Sequence, residues 1–139
     1  MHIPGHVAVA LLQRRLPPLS HKKGMLTPLL VACLFPDLID KTIGYVFKVM
    51  PNGRHYAHNL FSLFGVTLLV TLIWGKARGL AWFAGYLGHL MVDFNGTVPW
   101  LFPARKYNFP KSKFRFRARR FIREFALLFP ALVFYRLSR

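Results

Sequence analysis

Two stretches of this sequence contain no charged side chain, and they restrict the chain to folds that bury or embed apolar helices. Asn59 to Gly75 contains 17 residues without a charge, and Gly79 to Val92 follows it after a short basic loop. Seventeen largely apolar residues are just enough to cross the hydrocarbon core of a bilayer as a helix. Together with a hydrophobic content of 54%, this pattern predicts a protein that lies in or against a membrane.

Proline, glycine and basic clusters divide the sequence into about five apolar helices. At 139 residues the chain can build one hydrophobic core, so we predict a single helical domain over residues 1–139. We expect an all-α fold, a small membrane-embedded or membrane-associated helical bundle with a polar metal cluster at one end. Pro36 should end or interrupt the second helix. The predicted apolar segments are 3–13, 25–35, 59–75, 79–92 and 125–135, with 37–50 lying across one end.

The acidic residues are few, and they lie where solvation gives no reason for them. The chain has four Asp and Glu against 20 Lys and Arg, for a net charge of +16. Asp37, Asp40 and Asp93 lie in or beside apolar segments. A lone carboxylate in an apolar helix costs roughly 2.5 to 3.5 kcal/mol on membrane-insertion scales unless it is paired or coordinated. These aspartates are therefore candidates for metal ligands or for buried structural pairs.

Histidines accompany these acids along the chain. Asp93 follows His89 by four residues, which puts both on one face of a helix; as an isolated pair they could simply hydrogen-bond to each other. Antiparallel folding of the apolar segments brings His6 and His58 to the end that holds the aspartates. Imidazole nitrogens and carboxylate oxygens without a thiolate are ligands of zinc, manganese or non-haem iron. One ion fits this set, or two with a bridging carboxylate, an arrangement that often hydrolyses phosphate esters.

A basic segment between Arg105 and Arg123 should contact an anionic surface. Nine of its 19 residues are Lys or Arg, and phenylalanines alternate with them in Lys113-Phe114-Arg115-Phe116-Arg117. This alternation favours a segment at a membrane interface over a solvated basic face. We expect membrane lipids with anionic head groups as partners, with nucleic acid as the second choice.

Five short motifs occur in a fixed order over roughly residues 3 to 110. They are Gly5-His6, Phe35-Pro36-Asp37-Leu38-Ile39-Asp40, Arg54-x-x-x-His58, Gly85-Tyr86-Leu87-Gly88-His89-x-x-x-Asp93 and Pro99-Trp100-Leu101-Phe102-Pro103. In this order they resemble the YdjM-like family of predicted membrane-bound metal-dependent hydrolases. That family is similar in turn to the zinc-dependent phospholipase C and zinc single-strand nuclease superfamily, whose all-α folds hold a metal cluster between helices.

The resemblance implies a divalent metal cofactor, zinc first and manganese or iron as alternatives, in a multi-pass protein of a bacterial-type inner membrane. The chain departs from the family in the spacing of Asp40, which stands at i+3 from the preceding aspartate where i+2 is usual. We expect Asp40 to be either a general base or the partner of a metal ligand. Arg54 could hold a phosphate oxygen or act as a plain interfacial cation. The implied metal ligands are His6, Asp37, His58, His89 and Asp93, with Asp93 bridging two ions.

The function that these features predict is metal-dependent hydrolysis of a phosphoester, with a phospholipid-like substrate preferred because apolar helices meet lipids first. Two alternatives stay open. In one, the chain is a non-catalytic membrane accessory or scaffold protein whose His/Asp cluster only joins the helices. In the other, it is a nucleic-acid hydrolase or binder that the basic segment holds at the membrane.

Overall fold

Helices form every regular element in the part of the chain that the computed structural model describes, which is residues 2–20, 22–50, 52–94, 98–110 and 117–137. Five α-helices and no strand occur in these ranges, so the predicted all-α fold is confirmed. The first helix has the predicted bounds. The helices are α1 (Ile3–Gln13), α2 (Leu26–Lys41), α3 (Leu60–Trp74), α4 (Lys76–Val92) and α5 (Ala118–Leu137), with a π-helical turn at Thr42–Val46.

Helix α4 lies at the centre of the bundle and packs against α1, α2 and α3. Its buried side chains Trp82, Tyr86 and Leu90 form the main core together with Leu63 of α3. Helix α1 packs on α2 and α4 with one side and on α5 with another. Because α1, α2 and α4 meet one another, polar residues on their facing sides are forced together.

The second helix extends further than its sequence predicted. We expected Pro36 to end or interrupt it and 37–50 to form a separate segment, but α2 continues through Pro36 to Lys41. Proline removes one backbone hydrogen bond from a helix, and the complete burial of the Pro36 ring offsets that loss. Asp37 and Asp40 consequently share a buried face of α2, because residues spaced i, i+3 lie on the same side of a helix.

The charge-free stretch 59–75 forms α3, which has 15 residues. Asn59 begins this helix, because its side chain accepts a hydrogen bond from the backbone N–H of Ser62 at 2.8 Å. Among the described helices, none combines the length and the apolar character needed to cross a membrane. The prediction of membrane-spanning helices is therefore not confirmed.

Helices α3 and α5 leave much of their apolar surface uncovered, since α3 packs on α4 alone and α5 on α1 alone among the described elements. Buried Glu124 joins α5 to the start of α1 by accepting a hydrogen bond from the backbone N–H of His2 at 2.6 Å. The basic segment 105–123 is described only in part: residues 111–116, including most of the predicted Phe alternation, lie outside the described residues. Exposed apolar side chains include Phe64, Leu68 and Leu72 on α3 and Phe125, Phe129 and Leu137 on α5.

Gly85 allows α2 and α4 to approach closely. A Cβ atom at this position would lie 2.3 Å from the carbonyl oxygen of Leu29 and 3.2 Å from the Cβ of Ala32. One helical turn further along each helix, the ring of His89 reaches the carbonyl oxygen of Cys33. The close crossing at Gly85 therefore sets the position of His89.

We expect Gly85→Ala to destabilise the fold, because the added methyl group meets backbone that cannot move aside. Overpacking of this kind costs about 1–3 kcal/mol, while replacing a helical glycine by alanine gains up to about 1 kcal/mol. Gly65→Ala is the matched control, since a Cβ at Gly65 meets no atom within 4 Å. Thermal melts should show a lower melting temperature for Gly85→Ala and an equal or higher one for Gly65→Ala. Equal melting temperatures would contradict the close crossing.

Candidate metal centre

Five side chains converge between α1, α2, α4 and the loop of residues 52–58, here called the His58 loop. They are His6 from α1, Asp37 from α2, His58 from the loop, His89 from α4 and Asp93 directly after α4; we call them the cluster. All five are buried. One ligand atom from each of Asp37, His58, His89 and Asp93 lies within 4.8 Å of the other three. These four of the five predicted ligands could therefore hold a metal ion, and His6 lies beside them.

The ring of His89 has a fixed tautomer. Its Nδ1 lies 2.6 Å from the carbonyl oxygen of Cys33, which can only accept a hydrogen bond. Nδ1 therefore carries the hydrogen and donates it. In the neutral ring this leaves the Nε2 lone pair pointing into the cluster.

The ring of His58 is oriented in the same way by Asp40. Its Nδ1 lies 2.8 Å from the Asp40 carboxylate, which is fully buried. Nδ1 donates to the carboxylate, so Nε2 again faces the cluster. A carboxylate behind a histidine ring is the usual support for a histidine that ligates a metal.

These two orientations bring two ring nitrogens face to face. His58 Nε2 and His89 Nε2 lie 3.1 Å apart, and both are acceptors when the rings are neutral. Two lone pairs at this distance repel unless a cation lies between them. A proton on one ring satisfies this need, and so does a divalent metal ion, which also uses the carboxylates beside the rings. The residues present thus fit a metal ion.

Asp37 lies between two groups of histidines. Its Oδ1 is 3.6 Å from His58 Nε2 and 3.9 Å from His89 Nε2, while its Oδ2 is 3.8 Å from His6 Nε2. Asp93 approaches the cluster from the other side, with Oδ1 at 3.8 Å from His6 Nε2. Asp37 therefore has an oxygen within 4 Å of all three rings, whereas Asp93 has one at 3.8 Å from His6 and within 4.8 Å of ligand atoms of the other two.

His6 is a buried ring that lacks hydrogen bonds. Neither of its nitrogens has a hydrogen-bond partner among the described residues, although the ring is almost wholly buried. It stacks on His89 with ring centroids 3.9 Å apart. A buried polar group without a partner costs about 1–3 kcal/mol, so the cluster has a nitrogen available for a ligand between Asp37 and Asp93.

Burial keeps two of the three rings neutral at pH 7. It lowers the pKa of His6 to about 4 and the pKa of His89 to about 3. Burial would also lower the pKa of His58, but the neighbouring Asp37 and Asp40 carboxylates outweigh it and raise that pKa. Neutral His6 and His89 offer lone pairs without first losing a proton.

Both cluster carboxylates are ionised, although burial opposes this. Hydrogen bonding with His58 and the charge of Lys41 hold the pKa of Asp37 well below its usual range. The guanidinium of Arg54, with Nη2 2.7 Å from Asp93 Oδ2, lowers the pKa of Asp93. Arg54 therefore contacts the cluster through Asp93.

Asp40, which we considered as a general base or as the partner of a ligand, has its oxygens occupied. It accepts hydrogen bonds from the backbone N–H groups of His55, Ala57 and His58 at 2.7, 2.9 and 3.1 Å, besides the ring of His58. These contacts hold the His58 loop against α2. They favour the second of the two roles.

Two contributors were missed in the sequence. Lys41 forms an ion pair with Asp37 one helical turn before it, and the i, i+4 spacing of these residues could have revealed the pair. Tyr86, a member of the motif around His89, donates a hydrogen bond to the carbonyl oxygen of Ala57 at 2.6 Å and so also anchors the His58 loop. No local pattern links Tyr86 to a loop 29 residues earlier.

A family model described as YdjM inner membrane protein matches the chain over residues 1–138. No curated protein and no solved structure matches it. The family description agrees with the membrane location predicted from composition. The relation to zinc-dependent phospholipase C stays a prediction.

Proposed function

Because this chain belongs to the YdjM inner membrane protein family, we propose that it is a membrane-associated, metal-dependent hydrolase of phosphoesters. The observation that carries the proposal is the contact between His58 Nε2 and His89 Nε2 within a buried group that also contains Asp37 and Asp93, since a divalent ion there would satisfy both ring nitrogens and the carboxylates together. Both rings are held in this position by acceptors behind them, so the site is preorganised.

His58, His89 and Asp37 would hold one divalent ion, and His6 with Asp93 would complete a place for a second. Zinc is our first choice because proteins bind it with a small number of ligands, among them imidazole nitrogens and carboxylate oxygens. Manganese and iron are alternatives. A bound ion would act as a Lewis acid toward a phosphoryl oxygen and toward the attacking water.

The residues of the chain would supply orientation and charge around this chemistry. Asp40 keeps His58 in the productive tautomer. Arg54, already at the edge of the cluster, would donate hydrogen bonds to a phosphate oxygen. The walls formed by α1, α2 and α4 bury the cluster and exclude bulk water, which strengthens these electrostatic interactions.

We also propose that the substrate is phospholipid-like and that the protein meets anionic head groups. Support comes from α5, whose exposed apolar side chains follow directly on exposed Arg117, Arg119, Arg120 and Arg123. Apolar and basic surface together favour the interface of an anionic bilayer. Nucleic acid, the second predicted partner of a basic segment, stays an alternative ligand of the same arginines.

We expect His89→Gln to lose bound metal and hydrolytic activity together. Removing a ligand should weaken metal affinity by at least roughly a hundredfold, the upper range for loss of a residue that merely supports a ligand. The measurement is metal content by mass spectrometry and hydrolysis of a chromogenic phosphodiester and of phospholipid vesicles. His55→Gln is the matched control, because His55 is a buried histidine of the His58 loop that is not a member of the cluster and whose ring is hydrogen-bonded to Asn52.

Metal binding without any hydrolysis would favour the accessory or scaffold alternative, in which the centre is structural. A wild-type protein that binds no zinc, manganese or iron would overturn the proposed function. Activity that survives in His89→Gln would show that the hydrolysis belongs elsewhere.

A further inference from the structure

Two cationic side chains, Lys41 and Arg54, lie on the carboxylates of the cluster. Lys41 pairs with Asp37 Oδ2, and Arg54 pairs with Asp93 Oδ2. The side chains of Lys41 and Arg54 are 31% and 25% exposed, while those of the carboxylates are 6% and 1% exposed. Each of these cations therefore extends from a buried carboxylate of the cluster toward solvent.

A divalent ion makes the centre more positive. In the metal-free chain, the carboxylates of Asp37 and Asp93 pair with the cations of Lys41 and Arg54, and Asp40 pairs with the ring of His58. A single divalent ion adds two positive charges to the centre and displaces at most the one proton that the ring of His58 can carry, because histidine ligands are neutral. The ammonium of Lys41 then has little reason to stay on Asp37, whose charge the ion shares.

Lys41 can leave Asp37 more readily than Arg54 can leave Asp93. An ammonium on a four-carbon stem is a mobile point charge, whereas a guanidinium binds a carboxylate through a planar fork. Lys41 is also the last residue of α2, directly before the π-helical turn, and its side chain has access to solvent there. Once the ion makes the centre more positive, the ammonium of Lys41 binds most favourably to an anion beside the ion.

We propose that Lys41 is a substrate-binding residue of this centre, which rests on Asp37 in the metal-free chain and binds an anionic oxygen of the phosphoester once Asp37 ligates the ion. The inference rests on the proposed function and specifies its substrate as one that presents a free anionic oxygen toward α2. Lys41 and Arg54 then both bind the phosphate group.

A titration of the zinc-loaded protein with inorganic phosphate tests this, because phosphate is the simplest oxyanion of the proposed class. Calorimetry should show that Lys41→Met weakens phosphate affinity by about tenfold or more, as expected for loss of a charged hydrogen bond, while zinc affinity is unchanged or higher. Lys41→Arg should keep most of the phosphate affinity. Lys48→Met removes the same charge from an exposed position seven residues further along and should leave both affinities unchanged.

Each outcome of this titration supports or contradicts the proposed role of Lys41. Wild-type phosphate affinity in Lys41→Met would show that Lys41 only neutralises Asp37, and loss of zinc from this variant would show a structural role; either overturns the inference. Failure of the wild-type protein to bind zinc would overturn the proposed function and the inference together. A wild type that binds zinc but hydrolyses nothing still gives a decisive phosphate titration, so the two failures are distinguishable.

Discussion

Asp37→Asn should abolish metal binding by the centre, and it should do so more completely than Asp93→Asn. Asp37 is the carboxylate that faces His58 and His89 with one oxygen and His6 with the other. An amide in its place offers one neutral oxygen and a nitrogen that cannot ligate the ion. Both groups of histidines then lose their shared anionic ligand.

Asp93→Asn should have a smaller effect, because Asp93 approaches His6 with one oxygen while Arg54 holds the other. The resemblance to metal-dependent hydrolases implied that Asp93 bridges two ions. The distances favour Asp37 for the shared position, so the two variants separate these interpretations.

The measurement is a pair of thermal melts, with and without zinc. An ion that binds only the folded state at a hundredfold excess over its Kd adds about 2.7 kcal/mol, which is roughly 9 °C for a domain of this length. We expect the wild type to show this shift, Asp93→Asn to show part of it and Asp37→Asn to show none. Without zinc, Asp37→Asn should melt below the wild type, because it loses the contacts with His58 and Lys41 that lower the pKa of Asp37 and so stabilise the fold at neutral pH; the zinc-dependent shift of each variant is therefore compared with its own melt without zinc. A greater loss in Asp93→Asn would assign the bridging position to Asp93.

The sequence predicted the components of the centre because buried charge is costly. With so few acids in so apolar a chain, Asp37, Asp40 and Asp93 had to be paired or coordinated, and spacing placed Asp93 on the side of His89. The bounds of α1 followed from Pro4 and the basic residues after Gln13. These are local signals, and local reasoning suffices for them.

Other features depend on contacts between distant segments and could not be predicted in that way. Pro36 lies inside α2 because packing outweighs one lost hydrogen bond, and no window of sequence shows that packing. The tautomers of His58 and His89 are fixed by Asp40, 18 residues away, and by the carbonyl of Cys33, 56 residues away. The shared role of Asp37 emerges only when three helices and a loop meet.

Asp40→Asn should be the most destabilising substitution in the centre. Asp40 is fully buried and accepts four hydrogen bonds, three of them from backbone N–H groups of the His58 loop. In the asparagine variant, an NH₂ group replaces one carboxylate oxygen of Asp40 and faces N–H groups that also donate hydrogen bonds. Removing one partner from a buried charged network costs about 3–5 kcal/mol, which lowers the melting temperature by roughly 10–17 °C in a domain of this length.

The same variant tells a positioning residue from a general base. If Asp40 holds His58 for the metal, Asp40→Asn should also weaken metal affinity by about 10- to 100-fold, since the ring of His58 is no longer fixed. Loss of a general base would instead leave metal affinity at its wild-type value, since the loss of stability is expected in either case. Asn52→Ala controls for the loop: its side chain accepts from Arg54 N–H and contacts the ring of His55, so its loss should cost only about 1 kcal/mol. A melt and a metal titration of Asp40→Asn beside this control therefore decide which role Asp40 has, before any substrate is known.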